Sequence, residues 1–189
     1  QLGLKIGLSN LVAGGLKLGA REKTSIDLPA EARPIFPYGD VIDYYNRKYG
    51  KNGWSQAVVL NLSIGQGENS QTVVNMARFY TALATDGSAA TPEVVRDKPV
   101  RTQILQLTAD QLTGLRAALA GVVSNGTAGS ARIQGVVLAG KTGTAQNSID
   151  PVHNHAWCVG YAPAGDPTNR GALVREFGGH DTRPATPRS

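Results

Sequence analysis

The chain has 189 residues, 41% apolar and 17% charged, a composition typical of globular rather than disordered proteins. Its formal net charge of +5 comes from scattered lysines and arginines with no run of three, which argues against a nucleic-acid interface. The single cysteine, Cys158, excludes an internal disulfide. No stretch reaches the ~18 consecutive apolar residues of a membrane span.

The first third of the chain gives mixed signals. Residues 2–8 alternate like a strand, whereas residues 4–12 also fit one face of a helix, so both structures stay open there. Residues 27–55 are rich in proline, glycine and tyrosine and predict a long surface connection. The apolar run AVVLNLSIG, residues 57–65, predicts a short strand.

Two helices and two strands are predicted next. The first helix carries its apolar face on residues 73–84, with Asn69 or Ser70 as N-cap and Asp86-Gly87 as the stop. The second begins with a capping box from Thr108 to Gln111 and ends at residues 125–126. Residues 135–145 and 156–162 then predict strands.

The segment GVVLAGKTGTAQ, residues 135–146, fits two patterns. It matches G-x-x-x-x-G-K-[ST], the pattern of a phosphate-binding loop. Its β-forming residues Val-Val-Leu-Ala resist the tight curl of such a loop, and the sequence after Thr142 is a poor helix former. We therefore predict an extended strand. One face would hold Val136, Leu138, Gly140, Thr142 and Thr144, and the other Lys141 and Gly143.

Several segments together resemble the transpeptidase domain of class B penicillin-binding proteins. They are REKTSIDLPAE (21–31), LNLSIGQGENSQTVVNMARFYTALATDG (60–87), TAGSARIQGVVLAGKTGTA (127–145) and HAWCVGYAP (155–163). The resemblance runs from Gln1 to about Pro163. The GQG of residues 65–67 resembles the elongation subtype, penicillin-binding protein 2, rather than the septal one.

The resemblance implies peptidoglycan cross-linking by serine acyl transfer at the periplasmic face of the bacterial inner membrane, and inhibition by β-lactams. It implies that Lys141 supplies positive potential, while the hydroxyls of Thr142 and Thr144 bind the substrate carboxylate. Gly143 completes the motif, and the backbone N–H of Thr144 is an oxyanion donor. It further implies stem peptides and the membrane-anchored cell-wall elongation machinery as partners. We expect no cofactor, metal or nucleic acid.

Two family motifs are missing or misplaced. No serine of the chain is followed three residues later by lysine, so the nucleophile motif S-x-x-K has no match. Ser25-Ile-Asp27 and Ser148-Ile-Asp150 have the letters of the middle motif, but neither stands in the family's place. We therefore expect that both motifs precede Gln1 in a longer protein, that the membrane anchor also lies outside the chain, and that the chain alone is inactive.

Other constellations are weaker. Asp150, His153, His155 and Cys158 suggest a metal site, but Cys158 falls on the opposite strand face from the two histidines. We predict no metal there, a buried packing role for Cys158, and core positions for Trp157 and Tyr161.

The sequence thus predicts an α/β (α+β) chain, an antiparallel sheet flanked by helices, as an incomplete transpeptidase fold of the penicillin-binding and β-lactamase type. Its predicted parts are a helical lobe and connection (1–56), core helices with the K-T-G sheet (57–165) and a divergent tail (166–189). The predicted function is that of a D,D-transpeptidase fragment. A non-catalytic peptidoglycan or partner-binding fragment is the alternative, and a phosphate-loop nucleotide binder is the remote one.

Overall fold

A computed structural model describes residues 1–95, 100–146 and 152–175. Its helices are α1 (Leu2–Ile6), α2 (Leu8–Lys17), α3 (Val41–Tyr49), α4 (Ala57–Ser63), α5 (Val73–Ala84) and α6 (Ala109–Ser124). Its strands are β1 (Ser88–Ala90), β2 (Arg101–Gln103), β3 (Ala139–Ala145), β4 (His155–Ala162) and β5 (Asn169–Arg175). The order of elements is therefore helical first, with the larger sheet formed last.

Both sheets are antiparallel. β1 pairs with β2, and β3, β4 and β5 form a meander in that spatial order. The predicted class, an antiparallel sheet flanked by helices, is confirmed. The strand Asn169–Arg175 lies within the predicted divergent tail, where Arg170, Gly171 and Arg175 interrupt the apolar run, yet it pairs with β4 along its full length.

Two apolar clusters make up the core among the residues that the structure describes. The larger lies between α5, α6 and one face of the β3–β4 pair, where Ala139, Val159 and Tyr161 are buried. The smaller joins α2, α3 and α4 through Val12, Val41 and Leu62. The second cluster lies apart from the sheet cluster, so α2, α3 and α4 have their own apolar packing.

The structure overturns two predictions in the first third of the chain. Residues 57–63 of the predicted strand form helix α4, and helix α3 interrupts the predicted connection. A short apolar run fits a buried strand or a buried helix equally, and here helix packing decides, because Leu62 lies in the smaller cluster. The opening residues, which fitted both structures, are helical in α1 and α2.

The predicted start of α6 is correct, whereas that of α5 is not. Helix α5 begins after Thr72, whose side chain accepts from the Asn75 N–H, so the predicted caps Asn69 and Ser70 are wrong. The capping box of α6 is confirmed: the Thr108 hydroxyl accepts from the Gln111 N–H at 3.3 Å, and the Gln111 side chain accepts from the Thr108 N–H at 2.9 Å.

The capping box generates a stability prediction. Thr108→Ala should lower the free energy of unfolding by about 1 kcal/mol, because it leaves the Gln111 amide without its cap. For a chain of this size the melting temperature should fall by about 2–4 °C. Thr113→Ala, at an exposed position inside the same helix, is the control and should leave the melting temperature unchanged or slightly higher. Equal melting temperatures for Thr108→Ala and wild type in a thermal scan would contradict the assignment.

Candidate functional site

Strand β3 carries the K-T-G residues and is an edge strand of the sheet that the structure describes. It pairs with β4 in a register that places Lys141 opposite Val159, Thr142 opposite Cys158 and Gly143 opposite Trp157. The extended backbone predicted around Lys141 is confirmed. Val136 and Leu138 precede the strand, so the predicted face is correct only for Gly140, Thr142 and Thr144.

A pair of glycines fixes the spacing of β3 and β4 beside this site. Gly140 lies opposite Gly160. A Cβ added to Gly140 would lie 2.7 Å from the Val159 carbonyl oxygen, and one added to Gly160 would lie 2.6 Å from that of Ala139. Neither position therefore tolerates a side chain without moving the strands, and the close approach requires glycine on both sides.

The backbone groups of Thr144 lie on the edge of β3 that faces away from β4. The Thr144 carbonyl accepts a hydrogen bond from the Gln66 side chain at 3.0 Å rather than completing the ladder with β4. In a strand, the N–H and C=O of one residue point to the same side, and successive residues alternate. The N–H of Thr144 therefore also points to the outer edge, as do the backbone groups of Thr142.

Three side chains add a charge and two hydroxyls to this edge. The exposed Lys141 ammonium donates to the Thr142 carbonyl at 2.7 Å, which brings it to the outer side of β3. The Thr142 hydroxyl lies 3.2 Å from the hydroxyl of Thr127, just beyond α6. The edge thus presents an ammonium, hydroxyls and a backbone N–H close together. Such donors suit a carboxylate, because charge-assisted hydrogen bonds are the strong ones.

The geometry disagrees with a phosphate-binding loop. Such a loop needs amides curled round one anion and a helix starting at its Lys-Thr. Here Lys141 and Thr142 lie within a strand that continues to Ala145. The remote nucleotide-binding alternative therefore loses its structural basis.

The other candidate residues lie in loops, on the neighbouring strand β4 or outside the described residues. Asp27 accepts from the N–H groups of Val94 and Val95, so it ties two loops together. Ser148, Asp150 and His180 lie outside the described residues. Within the described ranges, no three histidine, cysteine, aspartate or glutamate side chains gather as metal ligands.

The predictions for strand β4 are mostly confirmed. Tyr161 is buried in the larger cluster, and Trp157 packs against that cluster while partly exposed. Cys158 is half-buried rather than fully buried, so its predicted burial is only partly correct. Burial nonetheless raises the pKa of its thiol, which makes the thiol a poor nucleophile.

A second set of residues, missed in the sequence analysis, supports the edge from α3 and the turn after α4. Gln66, which bonds Thr144, is followed after one glycine by Glu68, whose side chain is only 3% exposed. Glu68 accepts hydrogen bonds from Tyr45 at 2.9 Å, from Lys48 at 3.0 Å and from Tyr49. We call Tyr45, Lys48, Tyr49 and Glu68 the Glu68 cluster. No local sequence pattern indicates this cluster, because its three donors lie in α3, about 20 residues before Glu68.

The Glu68 cluster holds a buried negative charge. Burial alone would raise the pKa of Glu68, but the hydrogen bonds from Tyr49, Lys48 and Tyr45 outweigh it and keep that pKa below the ordinary 4.5. Burial, followed by the hydrogen bond to Glu68, raises the pKa of Tyr45 well above its ordinary value. The carboxylate is therefore ionised and the tyrosines are protonated donors throughout the physiological range.

Comparison with known proteins decides the family. A family model described as the penicillin binding protein transpeptidase domain matches residues 1–179. The chain belongs to that family. The resemblance noted in the sequence is thereby confirmed, and the K-T-G strand of this penicillin-binding transpeptidase domain is the edge strand β3.

Individual relatives agree with that assignment. The chain is 28% identical to the peptidoglycan D,D-transpeptidase MrdA of Acinetobacter baumannii over 188 residues, which cover 87% of the chain and 27% of the relative. The penicillin-binding protein PBP2 of Helicobacter pylori is 29% identical, with a TM-score of 0.80 over 95% of the chain and 34% of that protein. The same scores, 29% and 0.80, relate the chain to the complex of that PBP2 with MreC, over 94% of the chain and 33% of the protein.

These names agree with the elongation subtype inferred from the sequence. The chain spans only about a quarter to a third of the length of these relatives. Within the part of the penicillin-binding domain that the structure describes, no helix combines the length and apolar character needed to cross a bilayer.

The Glu68 cluster generates a pH-dependent prediction. Glu68→Gln should lower the free energy of unfolding by about 1.5–3 kcal/mol at pH 7, because hydrogen bonds to a charged acceptor are lost. The folded-state pKa of Glu68 lies below its unfolded value. Its stabilisation is therefore complete above about pH 4.5 and is lost as the pH falls through the lowered pKa.

Urea unfolding at several pH values measures this difference. The stability gap between wild type and Glu68→Gln should be constant from pH 7 to 5 and should shrink below pH 4. Glu22→Gln, at an exposed carboxylate, is the control and should change stability little at any pH. A gap that is independent of pH down to pH 3 would mean that the charge of Glu68 does not stabilise the fold.

Proposed function

We propose that residues Lys141–Thr144 bind the terminal carboxylate of a peptidoglycan stem peptide, as the substrate edge of a D,D-transpeptidase. The observation that carries the proposal is the edge position of β3, with the Thr144 N–H facing away from β4. An extended peptide can lie along such an edge and pair with its backbone. The Lys141 ammonium and the Thr142 and Thr144 hydroxyls would then bind its acidic end.

The proposed reaction is acyl transfer. A serine oxygen attacks the carbonyl between the two D-alanines of the donor, the carbon–nitrogen bond breaks, and the terminal D-alanine leaves as an amine after gaining a proton. An amine of a second stem peptide then attacks the acyl-enzyme ester, and the serine regains its proton. The Thr144 N–H would stabilise the oxyanion formed in each step, a contribution of about a hundred- to a thousandfold in rate for one donor.

The nucleophile is assigned to the longer protein. No serine in this chain has a lysine three residues later. We propose that the chain supplies the substrate-binding edge, Lys141–Thr144, and that the serine motif lies in another part of the full-length enzyme. A β-lactam, which carries a carboxylate beside a strained amide, would occupy the same edge and trap that serine.

The proposed location is the periplasmic face of the bacterial inner membrane, within the cell-wall elongation machinery. Support comes from the similarity to MrdA and to a PBP2 that forms a complex with MreC. The proposal includes no cofactor, metal or nucleic acid.

Peptide titration tests the carboxylate site. The probe is diacetyl-lysyl-D-alanyl-D-alanine, and the matched control is the same peptide ending in an amide. We expect this chain to bind the acid at least tenfold more tightly than the amide, because only the acid offers a charged acceptor. Lys141→Met should weaken binding of the acid about tenfold, whereas Lys51→Met, at an exposed lysine on the loop after α3, should not.

NMR titration of the labelled chain measures these affinities. Equal binding of the acid and the amide, or an unchanged affinity in Lys141→Met, would contradict the carboxylate site. Labelling by a fluorescent penicillin then separates the enzyme from a non-catalytic binding module: we expect the full-length protein to be labelled covalently. A full-length protein that binds the peptide but takes no label would be a binding module.

A further inference from the structure

Gln66 reaches from the turn after α4 to the sheet and bonds the end of β3. Its side-chain nitrogen donates to the Thr144 carbonyl at 3.0 Å, across 78 residues of sequence. The peptide unit that contains this carbonyl also contains the Ala145 N–H, which the alternation of the strand directs toward β4 opposite His155. Gln66 and β4 therefore hold one peptide unit from opposite sides, at the last residue of β3.

Gln66 lies in a tight turn that is held on both sides. Gly65 and Gly67 on either side of it have φ values of +79° and +70°, which favour glycine. On one side, the Gln66 N–H donates to the Asn61 carbonyl in α4 at 2.9 Å. On the other side, Glu68 is fixed by the tyrosines and the lysine of α3. The turn therefore presents the Gln66 amide from a fixed base.

We propose that Gln66 is a positioning residue of the carboxylate site. It fixes the peptide unit between Thr144 and Ala145. The Thr144 Cα joins that unit to the preceding one, so that the Thr144 N–H stays aligned along the open edge before a ligand arrives. The end of a strand frays readily when only one neighbouring strand holds it. Donors that stabilise developing charge work best when they are fixed in advance. Gln66 contacts Thr144 and acts through it, and its role in catalysis rests on the proposed function.

Amide hydrogen exchange of the ligand-free chain, followed by NMR, tests the inference. In Gln66→Ala, the protection of the Ala145 amide should fall about three- to tenfold, the equivalent of one neutral hydrogen bond. Protection in the middle of β4, at Val159, should not change. Gln71→Ala is the matched control, because Gln71 likewise donates to a distant backbone carbonyl, that of Ala20 at 2.8 Å, which does not belong to β3.

Gln66→Glu adds a readout that packing alone would not produce. The substituted side chain has nearly the same size, but its carboxylate cannot donate a hydrogen bond. Below its ordinary pKa of about 4.3 it gains an O–H and can donate again. After correction for intrinsic exchange rates, Ala145 protection in this variant should be low at pH 7 and should recover toward wild type at pH 3.5. Gln66→Ala should show no such recovery.

The outcomes separate this inference from the proposed function. Unchanged Ala145 protection in Gln66→Ala, or equal losses in Gln66→Ala and Gln71→Ala, would overturn the positioning role while leaving the carboxylate site intact. Failure of the proposed function appears instead in the wild-type chain, as equal binding of acid and amide peptides. If both proposals are right, Gln66→Ala also binds the acid peptide about three- to tenfold more weakly.

Discussion

The pairing of β3 with β4 is the constraint on which the rest of the site depends. In an antiparallel pair, backbone groups alternate between the two sides of each strand. The observed register turns Thr142 and Thr144 outward, and it leaves Lys141, Gly143 and Ala145 to complete the ladder. A shift of one residue would exchange the two sets and remove the Thr144 N–H from the open edge. The glycine pair Gly140 and Gly160, which accepts no added Cβ, favours this register over its neighbours.

The turn after α4 contributes a buried charge that supports this edge. Glu68 costs desolvation energy, and three hydrogen-bond donors from α3 offset that cost. A buried carboxylate satisfied in this way has few alternative positions, so the turn before it is well defined. Through Gln66 that turn reaches the β3 edge. Directional hydrogen bonds thereby connect α3 and the turn after α4 to the sheet, in addition to apolar packing.

The sequence predicted some elements well because their signals are local. The capping box at Thr108 and Gln111 involves four residues, and its apolar stripe has helical spacing. The strand that carries the K-T-G residues was predicted from the β-forming residues before Lys141. The strand prediction for residues 57–63 was wrong because a short apolar segment has no distinctive period. Its helical form depends on packing against α2 and α3. Gln66 and Glu68 have functional partners 19 to 78 residues away, which no local pattern reveals.

A crystal structure of the protein with a bound D-alanyl-D-alanine peptide tests the central claim most directly. The account predicts that the peptide lies along the outer edge of β3, with its carboxylate within hydrogen-bond distance of the Lys141 ammonium and the Thr142 hydroxyl. The Thr144 N–H should point at the carbonyl between the two D-alanines. A peptide bound elsewhere, or a strand β3 whose Thr144 N–H bonds to β4, would contradict the account.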